Sequence, residues 1–259
     1  MRELKRINKK VSRVLGVILV IIMLMAVGFK FYASKYYKAD MKAISEIEQS
    51  VIENVQTIKG DDLIVFAPKN SEPKAIIVFY PGGKVQYTAY SGLMYELADR
   101  GYTCLLPRMP ENLAFLRVGT ADDIKNKYPF EVQKYQDLDW YLAGHSLGGV
   151  AATQYLAGQE DGMYKGILLC ASYTTSDFSD KDLRLLSIYA SEDGVINTQS
   201  YEESKTKWPS DSEEYVIQGG IHSFFGNYGI QDGDGVPTIS NTDQLIEPAD
   251  AIDAFISRG

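Results

Sequence analysis

Gly144-His145-Ser146-Leu147-Gly148-Gly149 is the stretch that decides the fold. It fits the pattern G-x-S-x-G, in which a serine is held on a sharp strand-to-helix turn. The flanking glycines let neighbouring backbones come close. Upstream, residues 139–143 form an apolar run suited to a strand, and residues 147–157 carry the spacing of a helix. The serine would then sit at the positive end of that helix, where anions are favoured. The chain has only two histidines. His145 leaves the turn in a different direction from the serine, so a base for Ser146 has to be His222.

His222 lies in Gly219-Gly220-Ile221-His222-Ser223-Phe224-Phe225, directly after the last strand candidate. An imidazole there can take the serine proton near neutral pH and return it to a leaving group. A third group should orient that imidazole. Asp193, in Ser191-Glu192-Asp193-Gly194-Val195, follows a strand and is the expected acid; Asp177 is the runner-up and Glu192 a neighbour that could be mistaken for it. An oxyanion needs two pre-aimed N–H donors. Leu147, next after the nucleophile, supplies one. Gly83, in Pro81-Gly82-Gly83-Lys84-Val85, is expected to supply the other, with Lys84 next to it. The P-loop pattern G-x-x-x-x-G-K-[ST] is absent, so these glycines cradle no phosphate.

The rest of the chain reads as alternating strands and helices. Residues 54–68 hold a hairpin around Gly60-Asp61-Asp62. Strand candidates follow at 75–80, 102–106, 139–143, 167–171, 185–189 and 214–217. Helix candidates lie at 90–100, 112–116, 121–127, 147–157, 198–207 and 242–257. This order predicts an α/β fold with a mainly parallel sheet and helices on both faces. Continuous apolar runs such as residues 75–80 suit parallel strands covered on both sides.

The chain resembles the alpha/beta hydrolase superfamily, and within it the small lid-free branch labelled alpha/beta hydrolase fold-5, related to dienelactone-hydrolase-like enzymes. The resemblance spans about residues 74–257. It rests on Phe79-Tyr80-Pro81-Gly82-Gly83-Lys84-Val85, on Met109-Pro110-Glu111-Asn112-Leu113-Ala114-Phe115, on the Ser146 turn, on residues 191–195 and on residues 219–235. It implies that Ser146, Asp193 and His222 occupy the nucleophile, acid and base positions, and that the reaction is hydrolysis of an ester-like bond. Dienelactone hydrolases carry cysteine where this chain has Ser146. Many relatives insert a lid between the strands at 167–171 and 185–189; the roughly thirteen residues here leave no room for one. Tyr80, Lys84, Phe115 and Phe224 are expected to contact substrate, with Tyr87 and Phe225 nearby.

The N-terminus departs from this pattern. Arg2, Lys5, Arg6, Lys9, Lys10 and Arg13 precede residues 14–29, which carry no charge. Extended past Lys30 to residue 33, this segment is about 30 Å long as a helix, enough to cross a bilayer. The expected organisation is a basic cytoplasmic tail (1–13), a transmembrane anchor (14–33), a stalk helix (34–53) and a hydrolase domain (54–259). The basic tail predicts a single-pass protein of the cell membrane with its domain on the extracytoplasmic side. A cleaved signal peptide is the rival, though no good small-x-small cleavage site follows.

Ten of the 26 Lys/Arg but only two of the 34 Asp/Glu lie in residues 1–42, so the remainder carries a net −16. Such a domain is repelled by nucleic acid. Cys104 and Cys170 fall on strands separated by two others, too far apart for a disulfide. Asp232-Gly233-Asp234-Gly235 begins like a calcium loop, but the remaining ligands do not follow, and it reads as a polar turn. Two histidines and two scattered cysteines give no metal site. The reading is therefore a membrane-anchored serine hydrolase acting on small or lipid-like carboxylic esters without a cofactor. The alternatives are a binding module that keeps the scaffold and an acyltransferase using the same triad. Oligomeric state is left open.

Overall fold

The basic tail and the uncharged run after it form one helix, α1 (Arg2–Ser34). Within it, residues Arg13–Ser34 are long and apolar enough to cross a membrane. The structure is a computed structural model that describes residues 2–127 and 135–259. It divides into two compact units, residues 1–36 and residues 37–259.

In the second unit an eight-stranded sheet has the order β1-β2-β4-β3-β5-β6-β7-β8 among the described residues. The hairpin is β1 (Val55–Lys59) and β2 (Leu63–Pro68), antiparallel, with Ile58 opposite Val65. β2 also runs antiparallel to β4 (Thr103–Pro107). From β4 onward every pairing is parallel: β3 (Ile76–Tyr80), β5 (Trp140–His145), β6 (Gly166–Cys170), β7 (Arg184–Ala190) and β8 (Asp211–Ile217).

Side chains on a strand alternate between faces, and here each face feeds its own core. Ile77 and Phe79 of β3 pack with Leu93 of α3 (Ser91–Asp99) and Leu245 of α7 (Asn241–Ser257). Ile76 and Val78 pack with Ile124 of α4 (Thr120–Lys127) and Ala152 of α5 (Leu147–Leu156). Both faces are thus dry, which is why the central strands lack polar alternation. Cys104 on β4 and Cys170 on β6 are buried free thiols with β3 and β5 between them.

Some boundaries differ from the sequence expectation. The helix expected at 112–116 is two 3₁₀ turns, Pro110–Asn112 and Ala114–Arg117, broken where Glu111 and Asn112 adopt φ of 53° and 56°. α6 (Thr198–Ser204) ends early and tightens into a 3₁₀ turn, Lys205–Lys207. β8 starts three residues before the expected 214, since Asp211, Ser212 and Glu213 pair with β7 at the open edge of the sheet. Charged residues are common on edge strands, and they hid this one.

The stalk at 34–53 is corrected most. α2 (Met41–Ser50) starts at Asp40, whose carboxylate caps the amides of Lys42 and Ala43. Its Ile44 and Ile47 are buried in the core beside α3. Apolar residues three apart on one helical face are a burial signal, so α2 belongs to the domain. The strand-like residues before it are bonded too. The Tyr37 amide donates to the Lys84 carbonyl at 2.8 Å, and the Gln86 amide donates to the Tyr37 carbonyl at 2.9 Å. The Asp232 amide donates to the Tyr37 hydroxyl at 3.0 Å.

Candidate active site

β3, β5, β7 and β8 end at Tyr80, His145, Ala190 and Ile217. The loops carrying Gly83, Ser146, Asp193 and His222 each follow one of these ends. In a parallel sheet all of them meet along the carboxyl edge, where ligands bind in open α/β folds.

Ser146 sits between β5 and α5 at φ 50° and ψ −125°. A non-glycine residue held there carries strain of about 1–3 kcal/mol. The surrounding turn leaves no space for side chains. A Cβ on Gly144 would lie 2.6 Å from the Gly149 nitrogen, and one on Gly149 2.4 Å from the Ser172 hydroxyl. That hydroxyl donates to the Ser146 carbonyl at 2.7 Å, and the Ser146 amide donates to the Cys170 carbonyl at 3.0 Å. The elbow is thereby stitched to β6.

His222 Nδ1 lies 2.7 Å from Asp193 Oδ2, and both side chains are almost wholly buried. Asp193 Oδ1 accepts the amides of Val195 and Ile196, each at 2.8 Å. A carboxylate only accepts, so in the neutral ring Nδ1 carries the hydrogen and Nε2 bears the lone pair. His222 Nε2 is buried without a hydrogen-bond partner among the described residues. The Ser146 hydroxyl does not bond to it in this structure; such contacts commonly tighten only with substrate bound. The elbow and the base loop do touch. The His145 and His222 rings are 4.6 Å apart, and His145 Nε2 is 3.1 Å from the His222 carbonyl.

The runner-up acid is elsewhere: Asp177 is exposed and bonds to Ser179. Glu192 points away to the Ser191 hydroxyl. The loop after β3 separates the two amide candidates. The Lys84 amide donates to the Asn112 carbonyl at 2.8 Å. The Gly82 amide donates to the Tyr90 hydroxyl at 3.1 Å. The amides of Gly83 and Leu147 have no acceptor among the described residues. A Cβ on Gly83 would lie 2.8 Å from Leu147 Cδ2, so these two residues are packed together.

The substrate-contact expectations divide. Tyr80 is fully buried and its hydroxyl donates to the Val118 carbonyl, so it is core and not a pocket wall. Its alternation with Phe79 on β3 places it on the opposite face, in the core that holds Ile76 and Val78. Phe115 is 47% exposed, Phe224 half-buried, and Lys84 half-buried at φ 59°. Tyr87 is half-buried, and Phe225 is core, stacked 5.6 Å from His145.

Asp234 is more than one residue of a polar turn. Its Oδ1 accepts the amides of Gly194 (3.3 Å), His222 (3.1 Å) and Gly235 (2.9 Å). Its Oδ2 accepts the Ser223 amide and hydroxyl, both at 2.7 Å. One carboxylate therefore ties the acid loop to the base loop. Burial pushes its pKa up, but the bonds from Ser223, Gly235 and Gly194 outweigh that and hold it below the usual carboxylate value. Asp234→Asn presents an NH₂ to a site made only of donors. The expected loss is about 1–3 kcal/mol of stability, read from urea midpoints. A variant with an unchanged midpoint would show that the clamp does nothing.

His145 is fully buried, and burial, reinforced by the neighbouring His222, holds its pKa well below the ordinary 6.5. The unfolded chain therefore binds a proton at mildly acid pH that the folded chain refuses. This contribution to stability is complete above about pH 6.5 and is lost as pH falls toward the folded pKa, at up to about 1.4 kcal/mol per pH unit. Urea unfolding at pH 7 and 5.5 should show this slope, reduced in His145→Gln. Equal slopes would mean that His145 protonates normally in the fold.

Comparison with known proteins agrees with this architecture. A model of the alpha/beta hydrolase family matches residues 76–246. A comparison with curated protein sequences finds no significant match. Among solved structures, TT1662 from Thermus thermophilus is similar in fold at 15% identity and a TM-score of 0.52, covering 79% of this chain and 97% of that one. The family match spans well over half the chain and takes in the elbow, the acid loop and the base loop, and on that ground this protein belongs to the alpha/beta hydrolase family.

Proposed function

We propose that the protein is a membrane-anchored serine hydrolase that cleaves carboxylic-ester-like bonds in small or lipid-like substrates. The observation that carries this reading is the buried His222–Asp193 pair at 2.7 Å. It leaves an unpartnered basic nitrogen in the loop that contacts the strained Ser146 turn.

Ser146 Oγ attacks the ester carbonyl while His222 Nε2 takes its proton. The tetrahedral oxyanion is held by the amides of Leu147 and Gly83, which have no competing acceptor. Collapse expels the alcohol, which takes the proton from His222 and leaves an acyl-enzyme. Water, activated by the same imidazole, releases the acid. Asp193 keeps the imidazole in the working tautomer and stabilises its charged form. This chemistry draws on no cofactor. Helix α1 anchors the protein, with the basic tail in the cytoplasm and the hydrolase domain outside.

The test is labelling by a fluorophosphonate probe together with p-nitrophenyl acetate turnover. Wild type should label and turn over, and Ser146→Ala should do neither while keeping its fold. Equal labelling of the variant would move the nucleophile elsewhere.

A further inference from the structure

We propose that Tyr90 and His145 form a one-way hydrogen-bond relay that positions the oxyanion loop against the base loop. Both are positioning residues, and the proposal rests on the hydrolase reading above.

The relay has three links. The Gly82 amide donates to the Tyr90 hydroxyl at 3.1 Å. Tyr90 Oη and His145 Nδ1 are 2.8 Å apart. His145 Nε2 and the His222 carbonyl are 3.1 Å apart. The direction of each follows from chemistry. A carbonyl only accepts, so His145 Nε2 carries the hydrogen. In a neutral ring Nδ1 is then bare and accepts from the tyrosine O–H. The hydroxyl oxygen is left to accept from Gly82. Reversing any link would set two donors or two acceptors face to face.

Water cannot substitute for a missing link, since Tyr90 and His145 are essentially inaccessible. The space is closed as well: a Cβ on Gly82 would lie 2.5 Å from Tyr90 Oη and 2.7 Å from His145 Nδ1. Phe225 stacks on His145 at 5.6 Å between ring centroids. The relay therefore joins the loop after β3, the residue before the nucleophile and the backbone of the base. Drawing the Gly82 amide inward leaves Gly83 as the next amide with no acceptor among the described residues. The same relay fixes His222 from its carbonyl side, opposite the hold of Asp193 on its ring.

Three variants test this with ester kinetics. Glutamine at position 145 can accept through its oxygen and donate through its nitrogen, in the same order as the neutral imidazole. Leucine can do neither. His145→Leu and Tyr90→Phe should lower kcat roughly 10- to 100-fold with KM changed by less than about threefold. His145→Gln should keep kcat within about fivefold of wild type. Fluorophosphonate labelling should slow but persist in all three, because Ser146 is intact. If His145→Leu does not fold, Tyr90→Phe decides the kinetic arm.

The independent readout is ¹⁵N NMR of the His145 ring, which should show hydrogen on Nε2 and none on Nδ1 from pH 5.5 to 8. A hydrogen on Nδ1, or wild-type kcat in Tyr90→Phe, overturns the relay. A wild-type protein that neither labels nor hydrolyses esters overturns the hydrolase reading instead, and the ring spectrum then judges the relay by itself.

Discussion

Replacing Asp193 by asparagine is expected to lower kcat/KM for esters about 10⁴-fold, with little change in thermal stability. The size of the effect follows from how the carboxylate is held. Oδ1 accepts two amides, from Val195 and Ile196, while Oδ2 faces His222 Nδ1. An asparagine must keep its oxygen toward the two amides, because its NH₂ cannot accept from them. The NH₂ is therefore turned toward Nδ1. The imidazole can meet that donor only by placing its own hydrogen on Nε2, which removes the lone pair that takes the serine proton. Geometry survives and the base is lost. Turnover of p-nitrophenyl acetate measures the effect, and a variant within tenfold of wild type would remove Asp193 from the mechanism.

Gly148→Ala should be the most damaging single methyl in the elbow, costing at least about 3 kcal/mol. The new Cβ would lie 2.1 Å from the Tyr80 carbonyl oxygen and 2.4 Å from that of Pro81. Both are main-chain atoms at the end of the central strand β3, so neither can rotate aside as a side chain would. Helix α5 has to retreat from the sheet and takes the Ser146 turn with it. A fall in melting temperature of roughly 6–12 °C is expected for a domain of this size. Gly158→Ala is the control, since its Cβ meets only the Tyr155 carbonyl oxygen at 3.6 Å. Equal melting temperatures for the two variants would show that the elbow tolerates expansion.

The fold was legible because its strongest signals are local. Five-residue apolar runs, glycine turns and helical spacing each report burial within a few positions, and the elbow joins a strand and a helix in one motif. His222 stood out because the chain holds only two histidines, Ser146 because it occupies the elbow motif, and Asp193 because it follows a strand; the structure brings His222 and Asp193 to 2.7 Å. What stayed hidden depends on contacts between distant segments. Asp234 reads as a turn residue until five donors from three loops are seen around it. Tyr90 lies at the start of α3 with nothing nearby to mark its bond to His145, fifty-five positions away. Tyr80 misled because an aromatic residue beside a catalytic loop looks the same in sequence whether it faces substrate or core. The extent of α2's burial was likewise hidden, since two isoleucines on a polar helix suit a stalk as well as a core face.

The pairing of Tyr37 with Lys84 and Gln86 has a consequence for where the chain can be shortened from its N-terminal side. A cut between Tyr37 and Asp40 would break the covalent tie to the residue that donates to Lys84 and accepts from Gln86, on the loop that carries Gly83. A cut ahead of Tyr37 would leave both bonds in place.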